Sequence, residues 1–270
     1  MVRRLPPYFD SLLAAYRAGH AGRHVHLGFW DNPPPLGLPV MPAAFEAAQA
    51  RLTARMLQAA ALQPGRRVLD VGCGLGGLLA AVNDTCADMS LTGVNIDPRQ
   101  LAICGTIAPR SGNHLSLVEA DACALPFPAG RFDTVFCIEA MFHFRARRLF
   151  LAEAARVLRQ GGVLLLTDIL MRPPPAAPWP DAHIAAVIRR DYGPWPEIWA
   201  ERCAVVGDAA DWGLDVVGDQ DWSAATLPSY GIIAPDPMPE RQAHPNAGAV
   251  FRWLHANGWL SYRMLAFRRR

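Results

Sequence analysis

Chemistry in this chain concentrates in VLDVGCGLGG at 68–77, where an acid, Asp70, precedes Gly72, Gly74, Gly76 and Gly77. Glycines let a turn adopt left-handed dihedrals and bring backbone close to a ligand. A helix opening after such a turn offers unpaired amides to an anionic group. Gly72, Gly74 and Gly77 also satisfy G-x-G-x-x-G, the dinucleotide turn. An acid two residues before the first glycine instead suits a site holding an amino-acid ammonium group beside a nucleoside. Cys73 sits inside the turn with no partner base adjacent in sequence, and reads as a small residue packing beneath a ligand rather than as a nucleophile.

The elements around this turn follow a regular grammar. RVLDVG, SLTGVNID, HLSLVEAD, RFDTVFCIEA and VLLLTDIL are short apolar runs, each expected to be a strand. Between them LGGLLAAVND, RQLAICGTIA and RARRLFLAEAARVLRQGG read as helices, the last closed by its glycines. Alternation of this kind predicts a parallel sheet covered on both faces, over about residues 63–172. Residues 1–62 read as a helical lid: PYFDSLLAAYRAG and PAAFEAAQARLTARMLQAAAL as helices, HVHLGFWDNPPPLGLP as the loop between them. Residues 173–270 read as a lid insertion and closing strands. MRPPPAAPWP is too proline-dense for a regular element, 181–213 is helical with a break at GPWPEIW, GLDVVGDQDWS holds a strand, and 224–247 is a loop. AVFRWLHANGWL is a helix and SYRMLAFRRR the last strand.

Composition narrows the classes. With 51% hydrophobic residues in 270 the chain can bury a sizeable core. All 26 basic residues are Arg, so Schiff-base lysine chemistry and the phosphate-loop lysine are excluded. A net charge of +2 gives no electrostatic case for nucleic acid or an anionic membrane. Six cysteines without a C-x-x-C pair argue against zinc ribbons and for a reducing, cytoplasmic setting. No ligand spacing suggests a metal. MVRRLPPYFD is not a secretory signal, and no run reaches the ~18–20 apolar residues of a membrane span.

VLDVGCGLGG resembles motif I of the class I S-adenosylmethionine-dependent methyltransferases. LTGVNIDPRQL is similar to that family's second-strand motif, EADACALPFPAGRFDTVFCIEAMFHF to its adenine loop and fourth strand, RVLRQGGVLLLTDI to its fifth-strand motif, and YRMLAF to its closing antiparallel strand. The resemblance implies an α/β fold, a doubly wound, mostly parallel seven-stranded Rossmann-like sheet, with S-adenosyl-L-methionine as cofactor. It places the cofactor on Asp70, Gly72, Cys73, Gly74 and Gly76, its ribose near Asn95 and Asp97, its adenine by Asp121 and Ala122, and its methionyl end near Gln100 and Glu139. Asn95 stands where the family usually has an acid, which removes charge assistance.

Methyl transfer from a sulfonium is an in-line displacement that asks the protein for alignment and dryness, and for a base only if the acceptor must lose a proton. Ligands bind at the carboxyl ends of strands in open parallel sheets. His143, after the fourth strand, and Asp168, ending the fifth, are the candidates there, and similarity to the sugar O-methyltransferases of the rebeccamycin type implies base and orienting partner. That type carries a His-His pair; here the first member is Phe142. Asp168 could instead anchor backbone. HVHLGFWDNP resembles the H-x-G-[YF]-W-[DE] segment of the tocopherol, sterol and macrolide-sugar group, implying that Phe29 and Trp30 line the entrance, while His24 and His26 read as surface loop residues. Trp222, with Trp179, Trp195 and Trp199, makes the variable half aromatic, and Phe142 and Trp222 join the candidate acceptor wall. The function expected is methylation of an oxygen or carbon on a bulky apolar small molecule, with no nucleic-acid or membrane partner, by a monomer or homodimer. A dinucleotide-dependent oxidoreductase and a non-catalytic nucleoside-binding protein of the same fold are the competing classes.

Overall fold

The computed structural model describes residues 5–35, 38–172, 181–234 and 246–270. In chain order the elements are α1 (Tyr8–Arg17), α2 (Pro42–Ala60), β1 (Arg67–Val71), α3 (Gly77–Thr85), β2 (Ser90–Asn95), α4 (Pro98–Cys104), β3 (His114–Glu119), β4 (Phe132–Ile138), α5 (Arg147–Val157), β5 (Leu158–Met171), α6 (Asp181–Tyr192), α7 (Arg202–Asp211), β6 (Leu214–Asp221), the one-turn α8 (Ser223–Thr226) and α9 (Tyr230–Ile233), α10 (Ala247–Ala256) and β7 (Leu260–Arg269).

The seven strands form one sheet in the order β3-β2-β1-β4-β5-β7-β6. β1 to β5 run parallel, and β7 inserts antiparallel between β5 and β6. Strand residues alternate between faces: Val68, Phe136 and Leu165 enter the core shared with α2, α3, α4, α6 and α10, whereas Leu69, Val135 and Leu164 enter the one shared with α5 and α7. Both faces are therefore buried, as the unbroken apolar runs require. The strand order reverses between β1 and β4, and the chain leaves both strands on the same edge of the sheet. That crevice is where an open α/β sheet holds its ligand.

Two local readings are corrected. The helix before β5 stops at Val157, short of its glycines, because Leu158 is already extended at φ −69°, ψ 141°. Gly161 and Gly162 instead form a bulge: Phe132 pairs with Leu158 but Thr134 with Val163. Gly161 takes φ +71°, and a Cβ on Gly162 would lie 2.9 Å from the Arg159 carbonyl oxygen. Glycine here permits a bulged strand rather than a helix end. The stretch expected as a loop at 224–247 is short helices over 223–233, and α10 starts at Ala247 because the Asn246 side chain caps the Ala249 N–H. The proline-dense segment at 173–180, with Trp179, and residues 235–245 lie outside the described residues.

Candidate active site

A cavity of about 470 Å³ opens at the β1/β4 switch point. Its floor is the glycine turn: Gly72, Cys73, Gly74 and Gly77 line it. Gly72 has φ +75°, and a Cβ there would lie 2.4 Å from the Ala140 Cβ, so only glycine lets β1 turn away beside the end of β4. Gly76 is set back from the cavity, capping α3 at φ +85° against Cys104 and Ile107. Cys73 is buried with its Sγ 4.0 Å from that of Cys104, a packing role.

Asp70 projects from β1 into this space, 3% exposed. Among the described residues nothing donates to its carboxylate, and burial pushes it up to about 7. Asn95 and Gln100 form a second polar point. Asp97 N–H donates to Asn95 Oδ1 at 3.1 Å, and Asn95 Nδ2 donates to Gln100 Oε1 at 3.0 Å. The pairing orients the Gln100 amide, and its Nε2 is left buried without a partner on the cavity wall. Asp97 is not on the wall. It is fully buried and caps α4 through Arg99 N–H at 2.9 Å, gripped by the Arg99 guanidinium. Asp121 and Ala122 line the cavity, with one Asp121 oxygen holding the turn through Cys123 N–H at 2.8 Å.

The opposite wall comes from distant parts of the chain. His143 lies in a single 3-10 turn, Met141–His143, after β4. Its Nδ1 is 3.0 Å from the Pro194 carbonyl, an acceptor only, so Nδ1 carries the proton. Its Nε2 therefore accepts from the Tyr8 hydroxyl at 3.1 Å. Burial pulls His143 down to about 4 and keeps it neutral. Glu139 also lines the cavity, tied to Leu27 N–H and the Tyr262 hydroxyl at 2.6 Å each.

Besides Gly76 and Asp97, five expected participants lie off the cavity wall. Asp168 does not meet His143: it is fully buried behind the wall, paired to Arg147 Nε at 2.8 Å and to its own strand through Ile169 N–H. Burial raises its carboxyl despite that cation. Its partner Arg147 also donates to the Glu197 carbonyl at 2.8 Å, so the acid anchors β5 to α5 and the 197 loop. Phe142 stacks on Trp195 at 4.1 Å, Phe29 packs edge-on against Trp222 at 5.2 Å, and Trp30 donates to Ser229 Oγ at 3.1 Å. None of these four aromatics lines the cavity; each packs against or hydrogen-bonds a partner far along the chain. His26 is buried, not a surface residue: Nδ1 donates to Leu27 O at 2.8 Å, Nε2 accepts from Thr53 at 3.1 Å, and burial lowers it to about 3. His24 is half-buried and borders the cavity beside it.

Sequence reasoning missed Tyr8, Arg147 and Tyr262. Tyr8 stood in an ordinary amphipathic helix and Tyr262 in an apolar strand, with no local signal. Arg147 sits in the basic RARR that opens a helix, a pattern with no sign of burial, and is buried.

The residues present fit a nucleoside bearing an amino acid. An uncompensated acid can meet an ammonium group, an orphaned amide N–H can meet a hydroxyl, and a Cβ would fill the glycine cradle. The family described as "Methyltransferase domain" matches residues 69–166. The 27-O-demethylrifamycin SV methyltransferase of Amycolatopsis mediterranei is 36% identical over 219 residues, 77% of this chain and 73% of that protein. The 2-methyl-6-phytyl-1,4-hydroquinone methyltransferase of Synechocystis is 30% identical over 79% of this chain and 68% of its own. Geranyl diphosphate C-methyltransferase from Streptomyces coelicolor shares the fold with TM-score 0.75 at 18% identity, covering 98% of both chains. The chain belongs to the S-adenosylmethionine-dependent methyltransferases with a Rossmann-like sheet. Its cofactor is S-adenosylmethionine, which retires the dinucleotide reading of the glycine turn. Among the described residues no helix is long and apolar enough to cross a membrane.

Proposed function

We propose that this enzyme methylates an oxygen or a carbon of a small, bulky, largely apolar metabolite, as a monomer or homodimer in the cytoplasm and without a nucleic-acid partner. One observation carries the reading. A single cavity at the switch point is lined both by an uncompensated acid with a glycine cradle and by His143, Tyr8 and Glu139. Its lining includes the apolar Leu5, Pro6, Phe9, Pro194 and Pro196. The relatives that support the acceptor class are those named for a rifamycin and a phytyl-hydroquinone.

S-adenosylmethionine supplies an electrophilic methyl group. Asp70 would hold its ammonium group, Gln100, set by Asn95, would offer its free N–H to the ribose hydroxyls rather than to the methionyl end expected from the sequence, and Asp121 with Ala122 would border the adenine. Tyr8 and His143 present the acceptor with a hydroxyl backed by a neutral imidazole. A hydroxyl acceptor hands its proton to Tyr8, whose own proton passes to His143 Nε2, while the Pro194 carbonyl stays on Nδ1–H. Tyr8 and Phe9 of α1 and residues 24–26 border the cavity and would exclude water from it.

Two measurements test this. Calorimetry should show S-adenosylhomocysteine binding with NADP inert. Incubation of a metabolite extract with the protein and isotopically labelled methyl donor should label apolar hydroxylated or olefinic compounds. Tight NADP binding, or label confined to small polar amines, overturns the proposal.

A further inference from the structure

Glu139 is held in a way that ordinary capping does not explain. It leaves β4 in the left-handed region at φ +47°, a conformation a glutamate adopts only when its surroundings impose it. A ring of hydrogen bonds does so. Glu139 N–H donates to Thr167 Oγ1 at 3.1 Å, and Tyr262 and Thr167 hydroxyls are 3.0 Å apart. The single Tyr262 proton goes to Glu139 Oε1 at 2.6 Å, so Thr167 is the donor at the 3.0 Å contact. Leu27 N–H, from the lid loop, donates to the same Oε1. Both fixed donors thus converge on one oxygen. The other has no hydrogen-bond partner among the described residues, on a side chain that lines the cavity.

That oxygen is also uncompensated. From the elements packed around it, Tyr8 on α1, Tyr192 on α6, Tyr230 on α9, Tyr262 on β7 and Asp168 on β5 face Glu139, all of them neutral or acidic. The cavity wall also carries Asp70, Asp121, Arg23, Arg145 and the neutral His24, His26 and His143, and none of them forms an ion pair with Glu139. Arg23 is engaged by Leu75 O, Ile103 O and Thr106. The two acids Asp70 and Glu139 both line the cavity from neighbouring strands: Asp70 on β1 below the glycine turn, Glu139 just after β4 on the stretch that carries His143.

We propose that Glu139 distinguishes the charged methyl donor from its neutral product, its free carboxylate oxygen recognising the cationic sulfur that S-adenosylmethionine has and S-adenosylhomocysteine lacks. The inference rests on the methyltransferase reading above. Asp70 meets the ammonium group common to both molecules, so it contributes equally to both. Glu139 contributes to the donor alone, and losing that contribution on methyl transfer favours product release. Burial lifts Glu139 to about 7, so donor binding near neutrality displaces its proton, whereas product binding leaves it in place.

Isothermal titration of the full chain with S-adenosylmethionine and with S-adenosylhomocysteine, between about pH 6 and 8.5 in two buffers of different ionisation enthalpy, decides it. The wild type should release more protons with the donor than with the product at pH 7, and its preference for the donor should grow with pH. Glu139→Gln keeps an oxygen for Leu27 N–H and Tyr262, so product affinity should stay within about threefold while the donor preference falls about tenfold and the excess proton release vanishes. Asp70→Asn should weaken both ligands and leave the preference unchanged. Equal proton release for the two ligands in the wild type overturns the proposal without any variant. So does a Glu139→Gln protein that keeps the donor preference. Failure of both ligands to bind the wild type instead removes the methyltransferase reading on which it rests.

Discussion

The two walls of the cavity differ in how far along the chain their parts lie. The cofactor wall is built from strand ends and what directly follows them: Asp70 on β1 and the glycines after it, Asn95 closing β2 and Gln100 on α4, Asp121 and Ala122 after β3. The facing wall joins Tyr8 of α1, the 24–27 loop, Glu139 and His143 after β4, Pro194 after α6, and the hydroxyl of Tyr262 in β7 behind them. The first wall is stiff because backbone geometry sets it. The second is held by single side-chain bonds between segments more than a hundred residues apart, such as Tyr8 to His143 and Leu27 to Glu139. A methyltransferase that keeps one donor and varies its acceptors needs this division.

The largest effect should come from breaking the stiff wall. Gly72→Val places a branched side chain at φ +75° with its Cβ 2.4 Å from Ala140 Cβ, on backbone that pairs with Val94. We expect a loss of ~3 kcal/mol or more in stability and no detectable S-adenosylhomocysteine binding. Gly19→Ala is the control: φ +73° but nothing within 4 Å, so a cost of ~1 kcal/mol and unchanged binding. Denaturant unfolding and calorimetry read both, and similar losses for the two would mean that close approach plays no part.

The next test concerns what stands behind the second wall. Arg147→Met leaves Asp168 buried and unpaired, and should cost ~3–5 kcal/mol. Arg147→Met with Asp168→Leu should recover most of that loss in thermal unfolding and keep the affinity for S-adenosylhomocysteine. If the double variant melts no higher than the single one, the pair is more than a mutual neutralisation.

This division also explains what the sequence made legible. The parallel core, the glycine turn and the polar residues around the ends of β2 and β3 were readable because each is a local pattern with a fixed consequence: short unbroken apolar runs alternating with helices make a parallel sheet buried on both faces, and ligands gather where its strands end. Asp168 was misplaced because the sequence puts it at the end of the fifth strand, whereas β5 runs on to Met171, and nothing local announces Arg147, which arrives from α5 and pairs with it. Phe29 and Trp30 were assigned to the entrance by the resemblance of their segment, and Phe142 and Trp222 to the acceptor wall by position and type, yet their partners, Trp195 and Ser229 among them, lie far along the chain and draw them away from the cavity. Glycines 161 and 162 suit a helix end and a bulge equally, and only the pairing of β5 with β4 selects the bulge. Tyr262 is invisible for the same reason: a tyrosine in a closing strand becomes part of a site only when β7 inserts beside β5 and brings its hydroxyl to Glu139.

The smallest effect, and the one that best separates the walls, is the pH response of the cofactor-free protein. Asp70 rises from an ordinary 3.8 to about 7 on folding because burial penalises its charge. The unfolded chain therefore releases this proton near pH 4 and the folded chain only near pH 7. Stability from this group is full below pH 4, falls as pH rises toward 7 and is level above it, with a ceiling of ~4 kcal/mol for a shift of that size. Asp70→Asn removes the ionisation, so it should raise the apo melting temperature at pH 8, by the equivalent of ~2–4 kcal/mol, and leave it nearly unchanged at pH 4. His26, pulled down to about 3, has the opposite slope, losing stability as pH falls below its ordinary value, but it is common to both proteins and cancels in the difference. Saturating S-adenosylhomocysteine should reverse the order at pH 8, because its ammonium group compensates the wild-type carboxylate and finds only an amide in the variant. A melting series against pH, with and without the ligand, reads all of this. An Asn variant less stable than wild type at pH 8 without ligand would mean that the protein itself, rather than the cofactor, supplies the partner of Asp70.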